Sequence, residues 1–137
     1  MAFSGYLLKI GGSNGTEFPM KYIKLSGYSI TPNQRMEVEA KRSVTGVLYR
    51  STVAHTATKI EFNTPPMTNS DVDAMMTLLK NAWTNTQERK LKVQYYDMES
   101  DSYKEGDFYM PDTQFSIERI EGNVIQYGEI RVAFIEY

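Results

Sequence analysis

A single histidine, His55, is the residue from which general-base or metal chemistry could start in this chain. Both roles need groups that place and polarise the imidazole. The alternating segment around His55 supplies neither a second histidine nor a nearby pair of carboxylates, so it reads as an ordinary strand histidine. Ser4, Ser51 and Ser70 lack the strand-to-helix turn that exposes a nucleophilic hydroxyl, and Gly11 to Gly15 has no following Lys-Ser/Thr to hold a phosphate. Carboxylates gather at Asp97, Glu99 and Asp101, with Glu105 and Asp107 close behind. Their spacing is not that of a calcium loop, in which oxygen ligands alternate and a terminal carboxylate follows at a set distance. The segment reads as a solvated hairpin tip. Glu37 and Glu39 share one face of a strand and read as surface or partner-facing acids. With no cysteine in the chain, thiolate zinc sites, disulfides and a thiol nucleophile are ruled out. The sequence therefore points to no enzyme activity, no metal and no cofactor.

Recognition chemistry has better material. Ten tyrosines and eight methionines suit both cores and adaptable interfaces. Tyr95 and Tyr96 are consecutive in a strand, so their rings point to opposite faces and at least one is expected outside the core. With Tyr103 and Tyr109 they form a candidate aromatic surface, which would suit a β-sandwich module binding carbohydrate or a protein ligand. Such a surface could also stack on bases, but fifteen basic against seventeen acidic residues leave a net charge of −2 and no excess for neutralising phosphates. Sequence-specific nucleic-acid binding is not expected. Insertion into a membrane is not expected either, because no stretch approaches the ~20 apolar residues of a spanning helix. Met1 to Ile10 carries a lysine inside its apolar run, unlike an export signal.

These residues must be positioned by mostly extended structure. Short aromatic and β-branched runs are separated by Gly, Pro, Asn, Asp and Ser, and 137 residues suffice for one domain, spanning 1–137. Strands are expected at Phe3 to Ile10, Lys21 to Leu25 and Tyr28 to Ile30, with Pro32 interrupting regular pairing. From Gln34, Met36, Val38 and Ala40 alternate with Arg35, Glu37, Glu39 and Lys41, and alternation returns at Thr58 to Phe62. Residues 34–62 thus read as a long hairpin. Its polar middle forms a protruding arm, here Lys41, Arg42, Ser43, Val44, Thr45, Gly46, Val47, Leu48, Tyr49 and Arg50, and a protruding arm needs a partner to hold it.

One helix, at about 68–83, follows Pro65-Pro66, with Thr68 as N-cap and Asp71 favouring the positive helix terminus. Val72, Met75, Met76, Leu79 and Trp83 recur at spacings of three and four and form its core face. Further strands are expected at Leu91 to Tyr96, Tyr103 to Met110, Gln114 to Ile120 and, as one long run, Val124 to Tyr137, with a tight turn at Glu121-Gly122-Asn123. In that run Ile130, Val132 and Phe134 face one side, and Arg131, Ala133 and Ile135 the other.

The long hairpin at 34–62, the helix at 68–83 and the closing strand Glu129-Ile130-Arg131-Val132-Ala133-Phe134-Ile135, in that order, resemble the tail-tube fold family of long-tailed phages and related injection devices. Met1 to Ile10, Phe18-Pro19-Met20 and Phe62-Asn63-Thr64-Pro65 are similar to small tail proteins of Gram-positive prophages. The resemblance implies a mainly β, α+β fold: an antiparallel β-sandwich or half-barrel with one flanking helix. It implies a virion tail subunit, made in the host bacterial cytoplasm, that forms a homo-oligomeric ring, a hexamer by family habit. Such a ring joins other tail proteins and lets DNA pass through it. The many irregular loops favour a distal-tail or baseplate ring over the tube itself.

Overall fold

The computed structural model describes residues 3–42 and 48–137, with side chains described at 3–34 and 57–137. Among the described residues there are eleven strands and one α-helix: β1 (Leu8–Ile10), β2 (Thr16–Glu17), β3 (Ser29–Arg42), β4 (Leu48–Asn63), β5 (Met67–Thr68), α1 (Asn69–Asn81), β6 (Trp83–Asn85), β7 (Lys90–Asp97), β8 (Ser102–Tyr109), β9 (Ile117–Glu121), β10 (Val124–Tyr127) and β11 (Arg131–Glu136). The fold is mainly β, with antiparallel sheets and one flanking helix. The larger sheet runs β2-β1-β7-β8-β11-β4-β3, with β6 beside the start of β7, and the smaller runs β5-β10-β9.

Strict alternation builds the inner face of the large sheet. Leu91, Val93 and Tyr95 from β7, Phe108 from β8, Val132 and Phe134 from β11, and Ile60 and Phe62 from β4 are all buried. Phe18 packs on Phe62 and Tyr22 at centroid separations of 5.6 and 5.7 Å, so aromatic rings fill the centre of one continuous core. Helix α1 closes this core with Val72, Met75 and Leu79. Thr68 stands at its N-cap in extended conformation, Asp71 lies in the first turn and Lys80 in the last. The crossing from β4 into the helix is fixed by fully buried Thr64, whose N–H donates to the Ile130 carbonyl while its Oγ1 accepts from the Ile130 N–H at 3.1 Å.

Several boundaries differ from the sequence expectation. The helix ends at Asn81, and Trp83 lies in β6 opposite Leu91, so the indole flanks the core from a strand and is not part of the helix face. Met76 stays on the helix but is only partly buried. The segment expected to extend over Lys21 to Leu25 is largely two short 3-10 turns, Met20–Tyr22 and Leu25–Gly27. Pro32 does interrupt regular pairing, at a register shift between Thr31 and Gln34, although β3 continues past it. The closing run from Val124 divides at Gly128-Glu129, sending β10 to the small sheet and β11 to the large one. The alternation of Ile130, Val132 and Phe134 as the buried side holds, although Ala133, on the opposite side, is also buried.

Candidate assembly site

The arm starts from a defect in the β3–β4 ladder. Thr31 pairs with Lys59 and Gln34 with Ala57, so Pro32 and Asn33 together oppose Thr58. This is a β-bulge, and Asn33 takes its left-handed conformation at φ 52°. Asparagine tolerates that region because its short amide can bond locally. Here the Asn33 N–H donates to Thr58 Oγ1 at 3.2 Å, and its side-chain amide donates to Asp97 Oδ2 at 3.2 Å and to Glu99 Oε1 at 3.4 Å. Thr58 is itself buried, sharing a hydrogen bond with the Tyr95 hydroxyl at 3.1 Å. Its N–H donates to Glu136 Oε1 at 2.8 Å, where the β4–β11 ladder ends. Gly106 makes room for that carboxylate, since an added Cβ would come within 2.3 Å of Glu136 Oε2.

Asp97 anchors the network. Its side chain is fully buried, because in β7 it continues the inward phase of Leu91, Val93 and Tyr95. Desolvation alone would raise its pKa. Lys104 Nζ at 3.0 Å, the Asn33 amide and the Glu99 N–H outweigh burial and hold the carboxyl below its usual range. Burial pushes the neighbouring Tyr95 hydroxyl upward, assisted by the negative charges of Glu136 and Asp97.

Beyond this root the strands leave the body. β4 pairs with β11 only over Lys59–Asn63, whereas the β3–β4 ladder continues to Arg42 opposite Leu48. Nine residues from Gln34 to Arg42 give a ribbon of roughly 30 Å. It has two strands and, among the described residues, no third. Of the ten arm residues expected from sequence, Lys41, Arg42, Leu48, Tyr49 and Arg50 lie in these strands, while Ser43, Val44, Thr45, Gly46 and Val47 lie outside the described residues. The side chains of His55, Glu37 and Glu39 are likewise outside them.

The proposed aromatic surface is not brought together as expected. Tyr95 is a core residue, only 2% exposed, because its phase along β7 points inward. Tyr96 and Tyr103 are half-buried beneath the N-terminal segment: Phe3 packs edge-on against Tyr96 at 5.3 Å, and Tyr6 stacks on Tyr103 at 4.5 Å. The Tyr103 hydroxyl donates to the Tyr6 carbonyl at 2.7 Å. Tyr109 instead packs against Tyr137. The carboxylate cluster is likewise dispersed among local partners, with Asp97 buried, Asp101 accepting from the Tyr96 hydroxyl and Glu105 accepting from the Ser13 N–H.

Sequence reasoning missed a second surface. Every residue of β9 is exposed, and Phe115, Ile117 and Ile120 stand among the exposed large apolar side chains. The register shift between Gln126 and Tyr127 pairs Ile120 with Ile125 and Ile117 with Tyr127. It thereby brings Ile117 and Ile120, an odd number of residues apart, to one face. Strand alternation alone would put residues three apart on opposite faces, so the sequence pattern does not announce this surface. The face continues into a cleft of about 360 Å³ lined by Val72, Met76, Trp83, Arg89, Phe115 and Tyr127, among others. Trp83 Nε1 is buried with no hydrogen-bond acceptor among the described residues.

No curated protein matches this sequence. The structure is similar to a chain in the solved tail of an empty GTA particle, computed with helical refinement and C6 symmetry, with a TM-score of 0.55, 12% identity and coverage of 99% of this chain and 95% of that one. At that identity the likeness is one of fold. A model described as a family of unknown function, DUF6711, matches residues 1–137, and the protein belongs to that family.

Proposed function

We propose that the protein is a structural subunit of a phage-like tail, closing with copies of itself into a ring that stacks against other tail proteins. The observation that carries this reading is the fold likeness, over nearly the whole of both chains, to a tail chain of C6 symmetry. The arm supports it independently, since an isolated two-stranded ribbon is marginal in water and gains stability when a neighbour covers it. The outer edge of β3, which has no partner strand among the described residues, is a further pairing surface that ring closure would satisfy. Six copies are favoured by the neighbour's symmetry. A distal-tail or baseplate ring, as the irregular loops suggest, and a stacked, tube-like position are both compatible with this reading. DNA would pass through the lumen without sequence-specific contacts, as a net charge of −2 suits. The subunit would be made in the bacterial cytoplasm and end in the particle tail.

Mass measurement and electron microscopy of the purified protein, alone and with neighbouring tail proteins, test this. Rings or stacked tubes built from the 15.7 kDa chain are expected. A chain that stays monomeric at every concentration and is missing from assembled particles would refute it.

A further inference from the structure

The open edge of β9 carries a bonding pattern of its own. The smaller sheet runs β5-β10-β9, so among the described residues no strand pairs with the outer side of β9. The two-residue turn Gly122-Asn123, with Gly122 at φ 60°, closes the hairpin on Glu121 and Val124. The next pair is Ile120 with Ile125, and the Ile125 N–H turns away from β9 toward Asn69 Oδ1 at 3.5 Å. Bonded and unbonded pairs alternate along an antiparallel ladder, so the Ile120 N–H and C=O point off the open edge. The side chains sort by face as well. Ile120, 60% exposed, stands on one face, while Arg119 and Glu121, 3.5 Å apart, share the other. Read in either direction from Ile120, the edge therefore offers one charge and then its opposite.

We propose that β9 pairs antiparallel with β9 of a second copy, about a two-fold axis beside Ile120. Each Ile120 N–H donates to the Ile120 carbonyl of the other copy, and the two small sheets become one, ordered β5-β10-β9-β9-β10-β5. Arg119 then lies opposite Glu121 of the second copy and Glu121 opposite its Arg119, in the unbonded pairs where side chains approach most closely. On the other face the two Ile120 side chains cover each other. Neighbouring registers fail. Centring on Arg119 opposes two guanidiniums and calls on backbone groups that face β10, and centring on Glu118 opposes two carboxylates. The turn after Glu121 and the register shift before Arg119 keep the ladder short, so a single contact is weak. The contact is isologous and closes at two copies, unlike the heterologous contacts of a ring, and it goes beyond the ring reading. Between two rings set back to back, which rests on that reading, repeated copies of the contact would act together.

The chain has no cysteine, so a single introduced one reports the contact. Mild oxidation of Ile120→Cys should give disulfide-linked dimers, with none from Lys80→Cys on the exposed side of α1. In analytical ultracentrifugation at low salt, Arg119→Glu or Glu121→Arg alone should raise the dissociation constant of the pair about tenfold or more, and the double exchange should restore it to within about threefold. Monomer unfolding should stay unchanged throughout, because these side chains are exposed. Association indifferent to both single exchanges overturns the pairing, as does an Ile120→Cys chain that cross-links only to a different tail protein or not at all. Rings that still form in those cases leave the ring reading standing. Dimers linked through position 120 with no ring at any concentration support the pairing and overturn the ring.

Discussion

Asp97 shows how much a single carboxylate can organise. Its carboxyl titrates below the normal range in the folded chain, so it binds fewer protons there than when unfolded. Its stabilisation is therefore present above about pH 4 and lost as pH falls through the depressed folded value. Urea unfolding at pH 7 and near pH 3 should show a loss of stability on acidification that is smaller in Asp97→Asn, which leaves nothing to titrate at that position. Glu61 and Glu105 are also depressed, by Arg131 and by the Ser13 N–H respectively, so some acid sensitivity should persist in that variant. Gly106 offers a sharper probe of the same network. Gly106→Ala should displace the Glu136 carboxylate from the Thr58 N–H and destabilise the fold by ~1–3 kcal/mol, measured by chemical unfolding. The sequence held a sign of Asp97's role, since it continues the alternation of Leu91, Val93 and Tyr95. Reading acidic residues together as a solvated tip hid that phase. Only the fold brings Asn33 and Lys104 to it.

At the level of elements, the helix was the most legible part of the chain, because a spacing of three and four after Pro65-Pro66 has few other readings. Met75→Ala should cost ~2–5 kcal/mol, since the side chain is fully buried. Exposed Lys80→Ala should stay within about 0.5 kcal/mol. Trp83 keeps the helical period, and only its pairing with Leu91 reveals it as strand. The closing run carries a sign of its division, since its apolar phase shifts from Ile125 and Tyr127 to Ile130, Val132 and Phe134 across Gly128-Glu129. The long hairpin was legible from its two alternating ends, but the bulge beneath it was not. Asn33→Val should be destabilising by about 1–2 kcal/mol, because a β-branched residue is strained in the left-handed region. Asn33→Gly keeps that conformation and should lose only the amide's hydrogen bonds. Differential thermal unfolding of the two variants separates backbone strain from bonding.

For the whole molecule, the division between body and arm predicts a division between folding and assembly. Replacing residues 43–50 with a short turn should leave the unfolding transition in place and abolish rings, as read by circular dichroism and electron microscopy. Equal loss of folding would make the segment part of the core. Ring formation should also make the melting temperature of the intact chain rise with protein concentration, whereas the shortened chain should melt at one temperature throughout. The long two-stranded hairpin was readable from sequence through its alternating ends. The surface built around Ile117 and Ile120 was not, because it depends on a register shift that no local pattern announces.

β4 runs without interruption from the ribbon into the body, where it lies between β3 and β11. A tug along the ribbon axis is therefore delivered lengthwise to the register joining Lys59–Asn63 to Arg131–Ile135. Hydrogen bonds loaded in that direction share the strain and must give way together, whereas a sideways pull would open them one at a time. A particle whose subunits hold one another by such limbs would be tough under stretching along the limb and easier to peel apart from the side.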